Sequence, residues 1–495
     1  MNLGQKTVRG AIFTITTGIG ARAIGLVSTL VLTRFIDPDA YGEVMVAAVL
    51  VMTANQFSTV GFGQYIVSNP KVSRATAFHA TAFHVLLGVL ALGLVLAIGG
   101  ALGPHLDAPH IAQFLPGLAL SALFDRVSFM PERVLVKDLR FGVVSAGRSA
   151  GDLAMSGVAV ALAALGWGAA AIVAGNVARS LVRALVFIGA AERRDWLEPC
   201  RLSLSRMREL LAFGVPLAIG ALFGFAARRW DNLLIARFFG AGPAGMYNLA
   251  YNLADVPAIQ VGEQIGDVLV PSFARLAPER RPAALLRSLT LLGLVVFPLA
   301  VGLGAVAETL IDAVLDPRWH AVAPMLMVLS ALSIARPIGW TVTSYLQARQ
   351  LPRPIMWLEA FKLVVLLGAI FTLGRLSALS ACVAVGLGFG AHTLAAFWVV
   401  RRVDGLPFGA LLRSVAGPLF ACGPMVAAVF LARRGLALGS APRLLELAVE
   451  VLAGAVAYVI AALTFSRGAS RELVARAAEV LRRRPRSEAA VGRSE

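Results

Sequence analysis

The stretch RRWDNLLIARFFG, residues 228–240, places Arg228, Arg229, Asp231 and Arg237 in otherwise apolar surroundings, and Arg22 stands near the middle of the first long apolar run. An arginine at the centre of a membrane helix costs roughly 2.5 to 3.5 kcal/mol on insertion scales, so its presence demands a partner, a water-filled cavity or a function. The chemistry a guanidinium offers is recognition: its planar fork of donors matches phosphate or carboxylate oxygens. Asp231 follows Arg228 by three residues, one helical turn, and is expected to pair with it. Adjacent residues project about 100° apart, so only one of Arg228 and Arg229 can face a given cavity directly.

Other charges also fall in apolar segments: Asp125 with Arg126, Asp152, Arg179 with Arg183, Asp255, Glu263 with Asp267, Arg336, and Glu359 with Lys362. The simplest reading of opposite-charge neighbours is an ion pair that locks helices together. For Arg22, and for the excess arginine of Arg228 and Arg229, no neighbouring carboxylate in the same span neutralises all the charge, and these three form the leading candidate anion site. Arg126, Arg179, Arg336 and Asp231 are secondary candidates.

These residues must be positioned by membrane helices. The chain has 495 residues, 58% hydrophobic and 15% charged, with a mean hydropathy of +0.77. Runs such as AFHVLLGVLALGLVLAIGG are too long for a soluble core, and windows of roughly 20 residues give about fourteen crossings joined by short connections. The segments are apolar all round and show no alternation, so they are helices; the fold class is an all-α polytopic membrane protein. Lys6 and Arg9 precede the first apolar run, which continues through Thr33 and reads as an uncleaved span rather than a signal peptide.

Arginine and lysine alternate from connection to connection. Arg74, Arg133, Lys137, Arg140, Arg148, Arg193, Arg194, Arg201, Arg206 and Arg208 fall on one side, while IDPDAYGE, GAGPAG and DAVLDPRWH on the other carry few. Cytoplasmic loops retain positive charge, so both termini are expected in the cytoplasm. RRGLALGSAPR, 433–443, runs against this pattern. The net charge of +17 then reflects contact with anionic lipid at the cytoplasmic face, with no need for a nucleic acid.

VLTRFIDPDAYGEV (31–44) and LIARFFGAGPAGMY (234–247) share an arginine, a phenylalanine and a glycine at one offset, Arg34 with Arg237 and Gly42 with Gly245. This predicts an internal parallel repeat, with substrate sites between the copies. The expected organisation is a six-helix lobe over 1–191, a cytoplasmic linker over 192–208, a second six-helix lobe over 209–400, two further spans over 401–466 and a basic tail over 467–495. Gly220 and Gly224 read as a close helix contact, and Pro216, Pro257, Pro298, Pro337 and Pro424 as sites of kinking.

No phosphate loop, dinucleotide fingerprint or His-Glu-x-x-His occurs, and neither a cofactor nor a metal site is expected. Cys200, Cys382 and Cys422 have no redox or metal-ligand spacing. No outer connection is long enough for the catalytic platform of a glycan polymerase or ligase, so an enzyme is not expected.

LVLTRFIDPDAYGEVMVA, PERVLVKDLRF, RRWDNLLIARFFGAGPAGMYNLAYNLADVP and DPRWHAVAPMLMVLSALSI resemble the lipid-linked oligosaccharide flippases of the polysaccharide transport group, within the multidrug/oligosaccharidyl-lipid/polysaccharide exporter superfamily. The resemblance implies a two-lobed bundle of twelve to fourteen helices in the bacterial inner membrane. It implies movement of an undecaprenyl-diphosphate-linked oligosaccharide by alternating access, with Arg22, Arg228 and Arg229 on the diphosphate. A monomer working beside polysaccharide polymerase and export proteins is expected. A drug or cation antiporter of the same fold is the alternative. The superfamily's drug exporters use carboxylates in the N-terminal lobe, whereas this first span carries Arg22 and no acid.

Overall fold

A computed structural model describes residues 20, 24–68, 72–138, 140–257, 264–436 and 442–471, and among these there is no strand. After a helical segment at 24–32, the helices are α1 (Pro38–Phe57), α2 (Phe62–Ser68), α3 (Arg74–Leu102), α4 (Ile111–Lys137), α5 (Phe141–Ala164) and α6 (Ala170–Ala190). The series continues with α7 (Leu204–Phe239), α8 (Ala241–Pro257), α9 (Gln264–Arg275), α10 (Arg281–Ala305), α11 (Ala307–Val314) and α12 (Val322–Leu332). The last five are α13 (Ala335–Ala348), α14 (Pro352–Thr372), α15 (Ala378–Asp404), α16 (Phe408–Leu436) and α17 (Arg443–Phe465).

Among the described residues, eight helical segments are individually long and apolar enough to cross a bilayer, and the bent α7 makes up to nine. Helices α1, α4 and α5 are comparable in length at 20, 27 and 24 residues, but carry polar residues such as Glu43, Asn55, Arg126 and Asp152 that lower their hydropathy. At about 1.5 Å per residue α7 would extend roughly 54 Å, well beyond a hydrocarbon core of about 30 Å. It bends by 45° between Leu204–Val215 and Ala218–Phe239. The break falls at residues 216–217, and position 216 is a proline, a residue with no N–H to give to the helical ladder.

The helices form two compact units interleaved along the chain. The first comprises residues 1–252, 314–325 and 359–388, the second 253–313, 326–358 and 389–495. In the first, α5 and α6 pack through glycines: a Cβ on Gly151 would meet Arg183, and one on Gly175 would meet the Met155 carbonyl at 2.9 Å. Small residues of this kind let membrane helices approach closely, because no hydrophobic gradient drives them together in lipid. A core of Phe62, Ile66, Met130, Val134, Phe187 and Leu210 lies nearby. The second unit centres on Phe273, Leu289, Phe297, Tyr345, Phe397 and Tyr458.

Two of the three arginines in the stretch 433–443, which opposes the charge pattern, are neutralised locally. Arg433 pairs with Glu450 at 2.8 Å and Glu308 at 2.9 Å. Arg443 pairs with Glu446 at 2.8 Å and lies 3.9 Å from Asp312. Charges paired in this way exert little of the electrostatic bias that free loop cations exert.

The two copies of the Arg-Phe-x(6)-Gly pattern meet at one end of the first unit. A Cβ on Gly42 would overlap the carbonyl oxygen of Ala241, and one on Gly245 would lie 2.7 Å from the Pro38 oxygen and 2.9 Å from the Gly42 nitrogen. Pro38 and Ala241 are separated by the same offset as the two glycines, so the contact is reciprocal, as across a two-fold axis. The segment 314–320 docks on the same strip. The buried Trp319 indole donates to the Thr33 carbonyl at 3.0 Å and meets Tyr41 edge-on at 5.4 Å. Arg318 bridges Asp37 and Asp316 and donates to the Arg34 carbonyl at 3.2 Å. The hydrogen bonds from Arg318 hold the exposed Asp316 carboxyl below the usual carboxylate range.

Gly42→Ala is expected to destabilise the protein by at least about 1–3 kcal/mol, the usual cost of overpacking. Thermal unfolding in detergent will show this as a fall of several degrees, whereas Gly93→Ala, on an open face of α3 with nothing within 4 Å, leaves the transition in place.

Candidate functional site

The second arm of α7, Ala218–Phe239, carries the charged stretch, and helical geometry distributes its residues around the axis. Ala226, Ala227, Asp231, Asn232, Ile235 and Ala236 are buried. Trp230 donates to the Thr53 hydroxyl at 3.3 Å and stacks on Phe57, docking the arm on α1. Arg228 is exposed and Arg229 half-buried. Among the described residues neither guanidinium has an ion-pair or hydrogen-bond partner. The Arg228 Nη atoms lie 3.8 and 3.9 Å from the position a Cβ on Gly224 would take, and Glu359 Oε2 lies 4.0 Å from it. Nothing lies within 4 Å of a Cβ on Gly220. The Gly220/Gly224 pair is therefore not a close helix contact; Gly224 instead leaves room for the Arg228 side chain.

Asp231 departs from its expected role. It is fully buried, accepts from the Tyr247 hydroxyl at 2.6 Å, and accepts from both the backbone N–H and the side-chain amide of Asn232 at 2.9 Å. It forms no ion pair with Arg228. Bringing an exposed guanidinium to this buried carboxylate would require desolvating it, whereas the neutral donors are already in place. From Asn232 the network extends to Asn248 and on to Asn252 through amide hydrogen bonds of 2.9 Å each, running from the buried carboxylate to an exposed asparagine. The pattern YNLAYNL, which places Asn248 and Asn252 one turn apart on one face of α8, is the sequence signal for this ladder.

Arg126 is also placed differently from the expected neighbour pair with Asp125. Its side chain is buried and turns to the C-terminus of α1. It donates to the Asn55 carbonyl and side-chain oxygen, to the Ser58 hydroxyl and, at 3.3 Å, to the Ser58 carbonyl; it lies 3.2 Å from His84. Carbonyls at a helix C-terminus carry the negative end of the helix dipole, so this cation is compensated without a carboxylate. Adjacent positions on α4 diverge by about 100°, which turns Asp125 to a different face. Arg126 is therefore a cap for α1, with every guanidinium nitrogen engaged inside the unit.

Arg179 donates to Asn176 at 2.7 Å and approaches the Met155 sulfur at 3.5 Å, at the α5–α6 contact, where Arg183 pairs with Asp152 at 2.6 Å. Arg336, in the second unit, pairs with Asp255 and lies 4.4 Å over the Phe389 ring. Arg22 lies outside the described residues, as do Glu263 and the side chain of Asp267. Of the residues singled out from the sequence, then, the arm of α7 carries Arg228 and Arg229, neither of which forms an ion pair among the described residues; Arg126, Arg179 and Arg336 are engaged elsewhere. The described residues contain no group of three or more histidine, cysteine or acidic side chains arranged for a metal ion. His79 accepts from the Ser203 N–H at 2.8 Å, and His110 sits 3.2 Å from Glu43.

Comparison with known proteins accords with this architecture. The chain is 27% identical over 391 residues to the lipopolysaccharide biosynthesis protein WzxC of Escherichia coli (strain K12), an alignment covering 79% of each chain. It is 25% identical over 441 residues to the succinoglycan biosynthesis transport protein ExoT of Rhizobium meliloti (strain 1021), covering 87% of this chain and 86% of that one. Its fold resembles that of the lipid II flippase MurJ in an inward closed conformation, with a TM-score of 0.76 over 92% of this chain and 99% of the other; at 12% identity the likeness is one of fold alone. Residues 31–324, more than half of the chain, match the family described as polysaccharide biosynthesis protein. The chain belongs to that family.

Proposed function

We propose that the protein is a flippase of the bacterial inner membrane that moves an undecaprenyl-diphosphate-linked oligosaccharide from the cytoplasmic to the outer leaflet by alternating access. The product would serve exopolysaccharide, capsule or O-antigen assembly. The observation that carries this reading is the pair Arg228 and Arg229, two guanidiniums on an arm of a membrane helix that form no ion pair or hydrogen bond among the described residues. An exposed charge on such a helix is far less costly against an aqueous cleft than against lipid tails. A diphosphate is the ligand such a cleft would accept: it carries more than one charge and oxygens suited to bidentate donors.

The mechanism needs no covalent step. A diphosphate and its sugars cannot traverse roughly 30 Å of hydrocarbon unaided, because desolvating a multiply charged group is prohibitive. Guanidiniums lining the cleft would replace part of the lost hydration, with Arg22 assigned the same role as Arg228 and Arg229. The polyprenyl tail remains in lipid throughout. Both termini are cytoplasmic in this reading, the protein acts as a monomer, and polysaccharide polymerase and export proteins receive its product. The names of WzxC and ExoT, which refer to lipopolysaccharide biosynthesis and to succinoglycan biosynthesis transport, support the substrate class.

The alternative, a drug or cation antiporter, requires an accessible carboxylate. Asp231 is fully enclosed and held by neutral donors, so it is not placed to serve as that carboxylate.

Purified protein reconstituted in vesicles with a defined lipid-diphosphate oligosaccharide tests the proposal. Charge-assisted hydrogen bonds contribute roughly 1.5–3 kcal/mol each, so Arg228→Ala combined with Arg229→Ala is expected to slow flipping at least tenfold with membrane insertion intact. Full flipping by that variant would refute the diphosphate assignment. Arg126→Met is expected to behave oppositely: it leaves the carbonyls at the end of α1 without their donor, lowering the unfolding temperature, while the folded fraction retains the substrate affinity of the parent.

A further inference from the structure

In the first unit, two recesses are lined by residues close together in the chain, between 193 and 215, the first of them with Arg74. Arg74, Arg193, Arg194, Leu197, Glu198 and Pro199 line a cleft of about 770 Å³. Arg74, the first residue of α3, is held by Asp195 at 3.2 Å and Glu198 at 3.7 Å. Arg193 and Arg194 are exposed and have no ion-pair partner among the described residues. The cleft thus holds Arg74 between two carboxylates, and Arg193 and Arg194 outweigh the second of these to leave a surplus of one positive charge.

The second recess, about 600 Å³, is lined by Leu204, Met207, Arg208, Leu211, Ala212 and Val215 along the first arm of α7. These positions recur at helical spacing and form a single stripe. The opposite side of the arm is anchored: Leu210 is buried, Glu209 accepts from the Tyr65 hydroxyl at 2.6 Å, and Phe213 meets Tyr65 edge-on at 5.2 Å. The stripe itself is open, with Leu204 78% and Val215 41% exposed. Pro199 and Leu204 are separated by no more than about 18 Å of chain, and the 12-residue arm is about 18 Å long, comparable to an acyl chain.

We infer that these two recesses form a binding site for one anionic glycerophospholipid, its phosphate in the cleft of Arg193 and Arg194 and an acyl chain along the stripe from Leu204 to Val215. Charge complementarity selects the occupant: a neutral lipid would satisfy the stripe but leave the two arginines without a counter-ion, and a soluble anion would do the reverse. The site is independent of the proposed substrate and lies on a different arm of α7 from Arg228.

The test uses the full-length protein in phosphatidylcholine nanodiscs doped with phosphatidylglycerol bearing a photoactivatable diazirine on one acyl chain. The expected result is labelling concentrated in the peptide 204–215. An arginine near a membrane surface changes affinity for anionic lipid roughly fivefold, so Arg193→Gln with Arg194→Gln should reduce labelling about 25-fold. Both side chains are exposed, so the unfolding temperature should not change. Leu204→Gln with Leu211→Gln should shift the label away from the arm. Undiminished labelling in the arginine variant, equal labelling by a phosphatidylcholine probe, or displacement of the label by a lipid-diphosphate oligosaccharide would each overturn the assignment, the last by revealing a substrate-loading site. Flipping measured on the same variants separates this result from the fate of the proposed function.

Discussion

Hydrocarbon offers no hydrogen-bond partner, and every charged side chain in the membrane helices has to be reconciled with that fact. The protein uses distinct solutions. Arg336 and Arg183 take carboxylates, Asp255 and Asp152. Arg126 takes the carbonyl end of a helix, and Asp231 takes neutral donors from Tyr247 and Asn232. Once these are accounted for, Arg228 and Arg229 stand apart from the arginines that serve packing. A functional reading of the site therefore depends on first explaining the charges that belong to the scaffold.

The scaffold itself converges on a small region. The stretches around Asp37, Gly240 and Trp319 are distant in sequence, yet they interlock at one end of the first unit through a buried indole, a bridging arginine and a backbone crossing with no side chain between. The indole and the arginine satisfy the Thr33 and Arg34 carbonyls, which follow a helical segment and would otherwise be orphaned. The same stretches carried the resemblance in the sequence, so a motif recognised by pattern acquires a physical role as a joint between segments.

The sequence reveals helicity, membrane residence and the repeat because each rests on local composition or on a constant offset. Arg34 with Arg237 and Gly42 with Gly245 could be aligned by eye, and the structure brings the glycines into contact. What pairs with what is far less legible. Proximity in sequence pointed to Asp125 with Arg126 and Arg228 with Asp231, and neither pair forms, because neighbouring positions diverge around a helix and a buried carboxylate is satisfied more cheaply by neutral groups. The true partner of Arg336 lies 81 residues away, beyond the reach of any local rule. Gly220 illustrates the same difficulty: a small-residue spacing identifies a face that could approach another helix without specifying one that does.

The crossing of α1 and α8 at Gly42 and Gly245 restricts how these helices can move. A slide of one turn would carry a larger side chain into the space where backbone now meets backbone, and the steric barrier would rise at once. A rotation about the crossing point leaves the two glycines nearly stationary while displacing residues farther along each helix in proportion to their distance. The contact opposes approach and sliding while leaving free a rotation about the axis through the crossing point, so it has the mechanical character of a pivot.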